Sequence, residues 1–249
     1  MEVHSHPHNP SHKKKWTEYF FEFLMIFLAV TLGFIAENIR EERINHTKEK
    51  EYMKSMLQDV VSDTSMLNNE MYFSTNIGKG LDSLSIALYS VDGSNGSTLN
   101  IYRLHATYSR VIGAAFNDLT SIQLRNSGGM QFIKKSTVRS AIADYWKRVT
   151  SIEEILDRLN NSNDADFAYS IFNRSYEHFS VDSGSGMSVV TIDPSARIMT
   201  NDKNQLINYA NRMARKVTII NNFLVRKLKI QKKAAIELIG LLKKEYHLD

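Results

Sequence analysis

Residues 16–37 read WTEYFFEFLMIFLAVTLGFIAE, and this apolar segment decides how the rest of the chain is interpreted. Within residues 19–36, only Glu22, Thr31 and Gly33 are not plainly apolar. Because an α-helix rises about 1.5 Å per residue, these 18 residues span about 27 Å, close to the thickness of a bilayer hydrocarbon core. The segment therefore predicts a transmembrane helix.

The residues on either side of the segment favour a membrane anchor over two alternatives. Trp16, Tyr19 and three lysines at 13–15 are residue types that anchor a helix at the membrane interface. A cleavable signal peptide is disfavoured, because no A-x-A-like site closes the run and the charged stretch ENIREER at 37–43 keeps the helical period. A buried helix of a soluble protein is disfavoured by the length of the run and its aromatic and basic flank.

The charges nearest the segment predict its orientation. Three lysines precede it, whereas Arg40 and Arg43 follow closely and further lysines come later. The immediate flanks favour an amino terminus on the cytoplasmic side, and a long following domain crosses the membrane largely regardless of its charge. We therefore expect the C-terminal domain to lie in the periplasm or outside the cell.

A glutamate inside an apolar helix calls for an explanation, and the helical wheel offers one. The acidic and small residues of the segment share one face of about 100°. This transmembrane face comprises Glu22, Ile26, Ala29, Gly33, Ala36 and Glu37. Small residues let a second helix approach closely, and an ionisable group in a span normally faces protein or water. We predict that Glu22 points into a helix interface; the alternative is that it lies shallow enough to reach the lipid headgroups.

The opposite face of the same helix carries large side chains of the kind that face lipid. These residues are Phe21, Leu24, Phe27, Leu28 and Phe34, with Thr31 as the exception.

Composition and periodicity predict an all-α protein. The chain has 249 residues, of which 43% are hydrophobic and 23% charged, enough for one sizeable core in addition to an anchor. Its three prolines are Pro7, Pro10 and Pro194, so no proline ends a helix between 11 and 193. The absence of cysteine excludes disulfides and thiolate chemistry.

Helical spacing of apolar residues places the individual helices. The pattern continues from the apolar segment to about Gly78, where Gly78 and Gly80 are expected to weaken it. Further helices are predicted at 99–117, at about 117–127, from a cap at Ser136 or Thr137 to Leu159, at 166–179 and at 204–246. Loops are predicted at 91–98 and at 180–202, the latter with a short extended piece at 189–192.

These elements predict three parts of the chain: a flexible tail at 1–15, a transmembrane helix at 16–37, and a helical-bundle domain at 38–249. The economical architecture is one N-terminal transmembrane helix that continues into an elongated antiparallel helical bundle.

The sequence contains no pattern that predicts an enzyme or a cofactor. Half of its eight histidines, His4, His6, His8 and His12, lie in the N-terminal tail, where such a tract can bind zinc, nickel or copper. A solvated tail is the favoured interpretation, because the tract lacks defined geometry. No metalloprotease, hydrolase or P-loop motif and no catalytic carboxylate pair stands out.

A run of basic residues forms the second candidate site. Residues 203–236 contain nine Lys or Arg and no Asp or Glu. Those near the middle of the last predicted helix are candidates for contact with an anionic surface: Arg212, Arg215, Lys216, Arg226, Lys227, Lys229, Lys232 and Lys233. Anionic lipid, nucleic acid or an acidic neighbouring helix could meet them, although a solvated or internally paired face is favoured. Nucleic acid is not expected, because it requires a cytoplasmic domain.

Residues 19–42 resemble an uncharacterised group of bacterial single-pass membrane proteins. The resemblance rests on the lysines at 13–15, on Glu22 and Gly33, and on the exit formed by Ala36, Glu37, Asn38 and Glu41. The block SIQLRNSGGMQFIKK at 121–135 is also similar to one that such proteins carry after a long helix. The group has no established activity, so the resemblance implies a bacterial inner-membrane topology and a helical fold.

Two functional hypotheses remain from the sequence. The first is a non-enzymatic membrane-anchored interaction or scaffold protein whose transmembrane face forms a homo-oligomer or docks on a membrane-protein partner. The second is a stator-like subunit of an ion-driven motor or energy-transducing complex, with Glu22 as the proton carrier. Against the second hypothesis, the sequence after the apolar segment lacks the alternating strand pattern expected of a peptidoglycan-binding or transducer α/β domain.

Overall fold

The computed structural model describes residues 15–91, 95–162, 164–181 and 188–248. The α-helices in these ranges are α1 Trp16–Tyr89, α2 Asn95–Tyr108, α3 Leu119–Asn126, α4 Ser136–Asn160, α5 Asp164–Tyr169, α6 Lys203–Ile219 and α7 Val225–Tyr246, with short 3-10 helices at Gly129–Phe132 and Arg174–Tyr176. Within the described residues the only strands are β1 Glu177–Val181 and β2 Ser188–Ile192, which pair antiparallel from Glu177 opposite Ile192 to Val181 opposite Ser188. The predicted all-α class is confirmed. By its contacts the chain forms two units, residues 1–51 and residues 52–249.

The first helix, α1, continues without a break past residue 37, as its apolar period predicts. In the second unit its buried side chains recur at helical spacing and form part of the hydrophobic core: Met53, Leu57, Val60, Leu67, Ile77, Leu81, Leu84 and Leu88. The expectation that Gly78 and Gly80 weaken the helix is wrong. Each glycine lies inside α1 where another segment approaches closely, and the packing of that segment outweighs the low helix propensity of glycine.

The end of α1 packs antiparallel to α6. The Ser85 hydroxyl donates a hydrogen bond to the carbonyl oxygen of Ala210 at 3.0 Å. A Cβ added to Gly78, two turns earlier, would lie 2.8 Å from Oδ1 of Asn221, which follows α6. Since later residues of α1 meet earlier residues of the last helical segment, the two run in opposite directions.

A second antiparallel pair consists of α4 and α7. Lys135, which precedes α4, forms an ion pair of 2.9 Å with Glu245. Further along, the side-chain amide of Gln231 donates to the carbonyl oxygen of Tyr145 at 3.3 Å, and Lys227 donates to Ser151. The side chains predicted for the packed face of α4 are all buried: Val138, Ile142, Tyr145, Val149, Ile152, Leu156 and Leu159.

A buried carboxylate joins α1 to two other parts of the domain. Asp63 is fully buried and accepts hydrogen bonds from the backbone and side-chain amides of Asn117, at 2.9 and 3.0 Å, and from the Tyr145 hydroxyl at 2.7 Å. Burial raises the pKa of Asp63, although these hydrogen bonds oppose the shift. The carboxylate fixes the segment before α3 and one turn of α4 against α1.

The helix predicted at 99–117 begins too late and extends too far, because α2 runs from Asn95 to Tyr108; the loop predicted at 91–98 is therefore wrong from Asn95 onward. The chain after α2 is held by a side chain that replaces helical hydrogen bonds. The backbone amide of Ile112 donates to Asn160 Oδ1 at 3.1 Å, and Asn160 Nδ2 donates to the carbonyl oxygen of Ile112 at 2.7 Å. Both backbone groups of Ile112 are therefore satisfied outside a helix.

The helix predicted at 166–179 is also wrong in extent, since α5 ends at Tyr169 and β1 begins at Glu177. Between them, the side chain of Asn173 accepts from the backbone amide of Ser175 at 3.1 Å, a local bond that competes with helix formation. The loop predicted at 180–202 contains β2, which confirms the short extended piece at 189–192.

The single helix predicted at 204–246 is divided into α6 and α7 by a π-turn at Ile220–Leu224. The buried positions continue through this turn, with Ile220, Leu224 and Leu228 all fully buried. No glycine or proline marks it in the sequence. At the start of α4, Lys135 takes the capping position, so Ser136 is the first helical residue rather than the cap.

Candidate functional site

The predicted transmembrane face lies on the first unit, in the N-terminal part of α1. This helix is long and apolar enough to span a membrane, and none of its most apolar stretch is buried within the chain. All residues of the predicted face are exposed: Glu22, Ile26, Ala29, Gly33, Ala36 and Glu37. A Cβ added to Gly33 would meet no atom within 4 Å, so the packing of this chain does not require glycine there.

The last residue of the face, Glu37, is already paired on its own helix. Arg40 donates to the two carboxylate oxygens of Glu37 from Nε at 2.9 Å and from Nη2 at 2.5 Å. Both side chains are largely exposed, so this pair adds little stability. Glu37 therefore presents a neutralised rather than a bare carboxylate on this face.

Thr31 is the one polar residue on the opposite, apolar face of α1, and its hydroxyl is hydrogen-bonded within the helix. The hydroxyl of Thr31 donates to the carbonyl oxygen of Phe27 at 2.7 Å. Because this bond lies within the helix, Thr31 presents its methyl group with no unsatisfied donor. The large residues Phe21, Leu28 and Phe34 are exposed around it, which leaves this face uniformly apolar.

The basic run does not form one uniform surface. Some of its members engage side chains of the same domain: Arg212 and Lys216 bind Asp164, Lys227 donates to Ser151, and Lys233 pairs with Glu237 on α7 at 3.8 Å. Others form no ion pair with any described residue, namely Arg215, Arg226, Lys229 and Lys232. The first group is internally paired, whereas Arg215, Arg226 and Lys229 of the second group are exposed to solvent.

Asp164 is the centre of a cluster of charged side chains in the helical domain. It lies at the start of α5 and is buried, and its carboxylate accepts from Arg212 at 3.1 Å, from Lys216 at 3.0 Å and from the Ser162 hydroxyl at 2.5 Å. Burial alone would raise the pKa of Asp164, but the hydrogen bonds from Ser162, Lys216 and Arg212 and the charge of Lys216 outweigh burial and lower it. The carboxylate therefore stays ionised and orients both cations.

Arg212 is held on three sides. Its Nη1 donates to Asp164, its Nε donates to Oδ1 of Asn208 at 3.2 Å, and its guanidinium lies 4.7 Å from the centre of the Phe167 ring. Such a group is preorganised, because few side-chain rotamers remain for a ligand to restrict.

Sequence reasoning missed two members of this region, Asp164 and Arg158. The stretch NNSND at 160–164 is polar and lacks an apolar period, so by its pattern alone it only separates two predicted helices. Charge was the signal that could have indicated this cluster. Asp164 is an acidic residue next to a polar turn, and α6 carries basic residues but no acidic one with which to pair them. Which cation it meets cannot be deduced from spacing, since the partners lie 48 residues apart.

The structure supplies no metal centre among the residues it describes. No group of three or more His, Asp or Glu side chains in those ranges is arranged to hold an ion. The N-terminal histidines His4, His6, His8 and His12 and the lysines Lys13 and Lys14 lie outside the described residues.

Comparison of the chain with known protein families, with curated proteins and with solved structures found no match.

Proposed function

We propose that this protein is a non-enzymatic, membrane-anchored interaction or scaffold protein that oligomerises, or docks in a membrane complex, through its transmembrane face. The observation that carries the proposal is the exposure of Ala29 and Gly33 on a helix that buries none of its most apolar stretch within the chain. A helix in lipid associates where small residues allow close backbone contact. The room around Gly33 supports a second helix as the natural occupant of this face.

The proposal places the chain in a bacterial inner membrane, with the amino terminus in the cytoplasm and the helical domain in the periplasm. The lysines at 13–15 support this orientation, because basic residues next to a span are retained on the cytoplasmic side. The resemblance of residues 19–42 to bacterial single-pass proteins supports the choice of membrane.

The test compares the mass of the nanodisc-embedded protein with that of three variants. Gly33→Leu fills the small-residue face, Thr31→Leu places the same side chain on the opposite face as a matched control, and Glu22→Gln removes the charge. We expect a defined oligomer or a co-purifying partner in the wild type and in Thr31→Leu. Gly33→Leu should weaken the association at least tenfold, because leucine holds the two backbones apart.

A monomer for the wild type, with no co-purifying partner, would contradict the proposal. Equal weakening by Thr31→Leu would contradict the assignment of the face. Docking by shape should tolerate Glu22→Gln. The stator-like alternative also expects Glu22→Gln to assemble normally, but it expects the variant to abolish an ion-driven activity of the complex. That loss of activity would identify Glu22 as a proton carrier and would replace the scaffold proposal.

A further inference from the structure

A cleft between the end of α4 and one face of α6 has the properties of a ligand site. Its volume is about 630 Å³, within the range of pockets that hold small ligands. One wall comes from Arg158 and the turn that contains Ser162, and the other comes from Asn208, Arg212, Arg215 and Lys216. The α6 residues follow one another at helical spacing, so a single face of that helix lines the cleft.

The cleft carries a strong positive charge. Four cationic side chains line it, and Asp164 is the one acidic residue among them. Asp164 is shared by Arg212 and Lys216, whereas Arg158 and Arg215 form no ion pair with any residue that the structure describes. The cleft therefore has a net excess of three positive charges. Arg158 and Arg215 are exposed, so solvent screens part of their repulsion, but the concentration of positive charge still favours a bound anion.

The lining excludes an apolar ligand and favours one with several oxygen acceptors. Only two of the ten residues of the cleft, Leu159 and Ile219, are aliphatic. Apart from the Asp164 carboxylate, the remaining side chains carry guanidinium, ammonium, amide and hydroxyl donors. A tetrahedral phosphate group can accept from several directions at once, and arginine forks bind it in a bidentate manner.

We propose that this cleft binds a phosphoester, that is, a small ligand or headgroup with a phosphate carrying one or more negative charges. Arg158 and Arg215 supply the direct contacts to the phosphate oxygens, because no residue that the structure describes forms an ion pair with them. Arg212 and Lys216, oriented by Asp164, supply the fixed part of the positive field. The cleft does not include any residue of the transmembrane face, so a negative result for phosphate binding would leave the proposed scaffold function untouched, and the reverse also holds.

The experiment uses the full-length protein in nanodiscs of phosphatidylcholine, a zwitterionic lipid with no net charge. Pyrophosphate is titrated by calorimetry at about 0.15 M salt, where exposed charges are screened beyond about 8 Å. The variants are Arg158→Gln and Arg215→Gln, with Arg226→Gln as the matched control. Arg226 is an exposed arginine on α7 that forms no ion pair with any described residue and does not line the cleft. Circular dichroism checks that each variant keeps its helical content.

We expect the wild type to bind pyrophosphate and each cleft variant to bind it at least tenfold more weakly, while Arg226→Gln stays within about twofold. Absence of pyrophosphate binding to the wild type would overturn the proposal. So would equal weakening by Arg226→Gln, which would indicate general charge attraction, or binding of succinate as tight as that of pyrophosphate, which would indicate a carboxylate site.

A second titration identifies the source of the phosphate. A short-chain phosphatidylglycerol, kept below its micelle concentration, is compared with glycerol 3-phosphate as a competitor of pyrophosphate. Competition that is at least tenfold stronger for the lipid assigns the cleft to a lipid headgroup. Competition by the lipid that is less than tenfold stronger than that by glycerol 3-phosphate assigns it to a soluble phosphoester, and competition by neither compound would overturn the proposal.

Discussion

His105 lies in a buried aromatic cluster of the helical domain and has one polar partner. Its ring stacks on Phe172 with the ring centres 4.0 Å apart, and its Nδ1 lies 2.9 Å from the hydroxyl of Tyr209. Its Nε2 atom has no hydrogen-bond partner among the described residues. Burial lowers the pKa of His105 to about 3, and the charges of Arg174 and Lys216 act in the same direction.

This burial predicts that the domain loses stability as the solution becomes acidic. Above a pH of about 6.5, the ordinary pKa of histidine, the ring is neutral in both the folded and the unfolded chain and contributes nothing to the pH dependence. Below it, the unfolded chain binds a proton that the folded chain cannot accept. The free energy of unfolding should therefore fall as the pH falls toward about 3, with a slope of up to about 1.4 kcal/mol per pH unit.

Urea unfolding of the full-length protein in detergent at several pH values between 7 and 4 measures this slope. His105→Gln should reduce it, whatever the variant does to the stability at pH 7. His178→Gln changes an exposed histidine and serves as the control, with a slope close to that of the wild type. The same slope in all three proteins would show that His105 does not carry the effect.

At the scale of elements, two glycines inside helices should respond to alanine in opposite ways. A Cβ on Gly80 of α1 would lie 2.1 Å from the ring of Tyr108, the last residue of α2, whereas a Cβ on Gly240 of α7 would meet nothing within 4 Å. Alanine gains up to about 1 kcal/mol of helix propensity at either position. At Gly80 the overlap with Tyr108 should outweigh this gain, since overpacking costs about 1–3 kcal/mol.

We therefore expect Gly80→Ala to lower the free energy of unfolding and Gly240→Ala to raise it, as measured by urea denaturation. Combining Gly80→Ala with Tyr108→Ala provides the internal check, because the overlap disappears with the ring. In that background Gly80→Ala should no longer be destabilising. Stabilisation by Gly80→Ala alone would mean that α1 and α2 do not approach each other at this point.

The same scale shows where helix prediction from sequence succeeds and where it fails. The packed faces of α1 and α4 were predictable, because an apolar period of three and four residues is a local property of the chain. The ends of α2 and α5 were not, because Asn160 and Asn173 terminate helical hydrogen bonding by contacts that apolar spacing does not encode. The π-turn at Ile220–Leu224 carried no compositional mark.

At the scale of the whole molecule, we expect the first unit to bind the membrane and the second unit to fold without it. The second unit, Tyr52–Asp249, contains a hydrophobic core that runs from Met53 to Tyr246. The exposed apolar residues of the predicted span all lie in the first unit. A fragment that starts at Asn45, a residue type suited to cap a helix, should therefore fold without the apolar segment.

Vesicle flotation at alkaline pH tests this separation. The full-length protein should float with phosphatidylcholine vesicles and resist extraction by carbonate, whereas the fragment 45–249 should remain in the soluble fraction with a helical circular dichroism spectrum and a cooperative thermal transition. Flotation of the fragment would reveal a second membrane-binding surface on the helical domain. Loss of its helical signal would show that folding depends on the first unit.

The all-α class, the apolar segment with its two faces and the absence of cysteine chemistry follow from the sequence alone, because periodicity, hydropathy and composition can be read without knowing any contact. The pairing of the basic residues, the burial of His105 and the close approach of Gly80 to Tyr108 became known from the folded chain. The cleft between Arg158 and Arg215 was likewise not predictable from the sequence. Each of these depends on contacts between residues far apart in the chain, and burial and charge pairing are set by the partners that folding brings together.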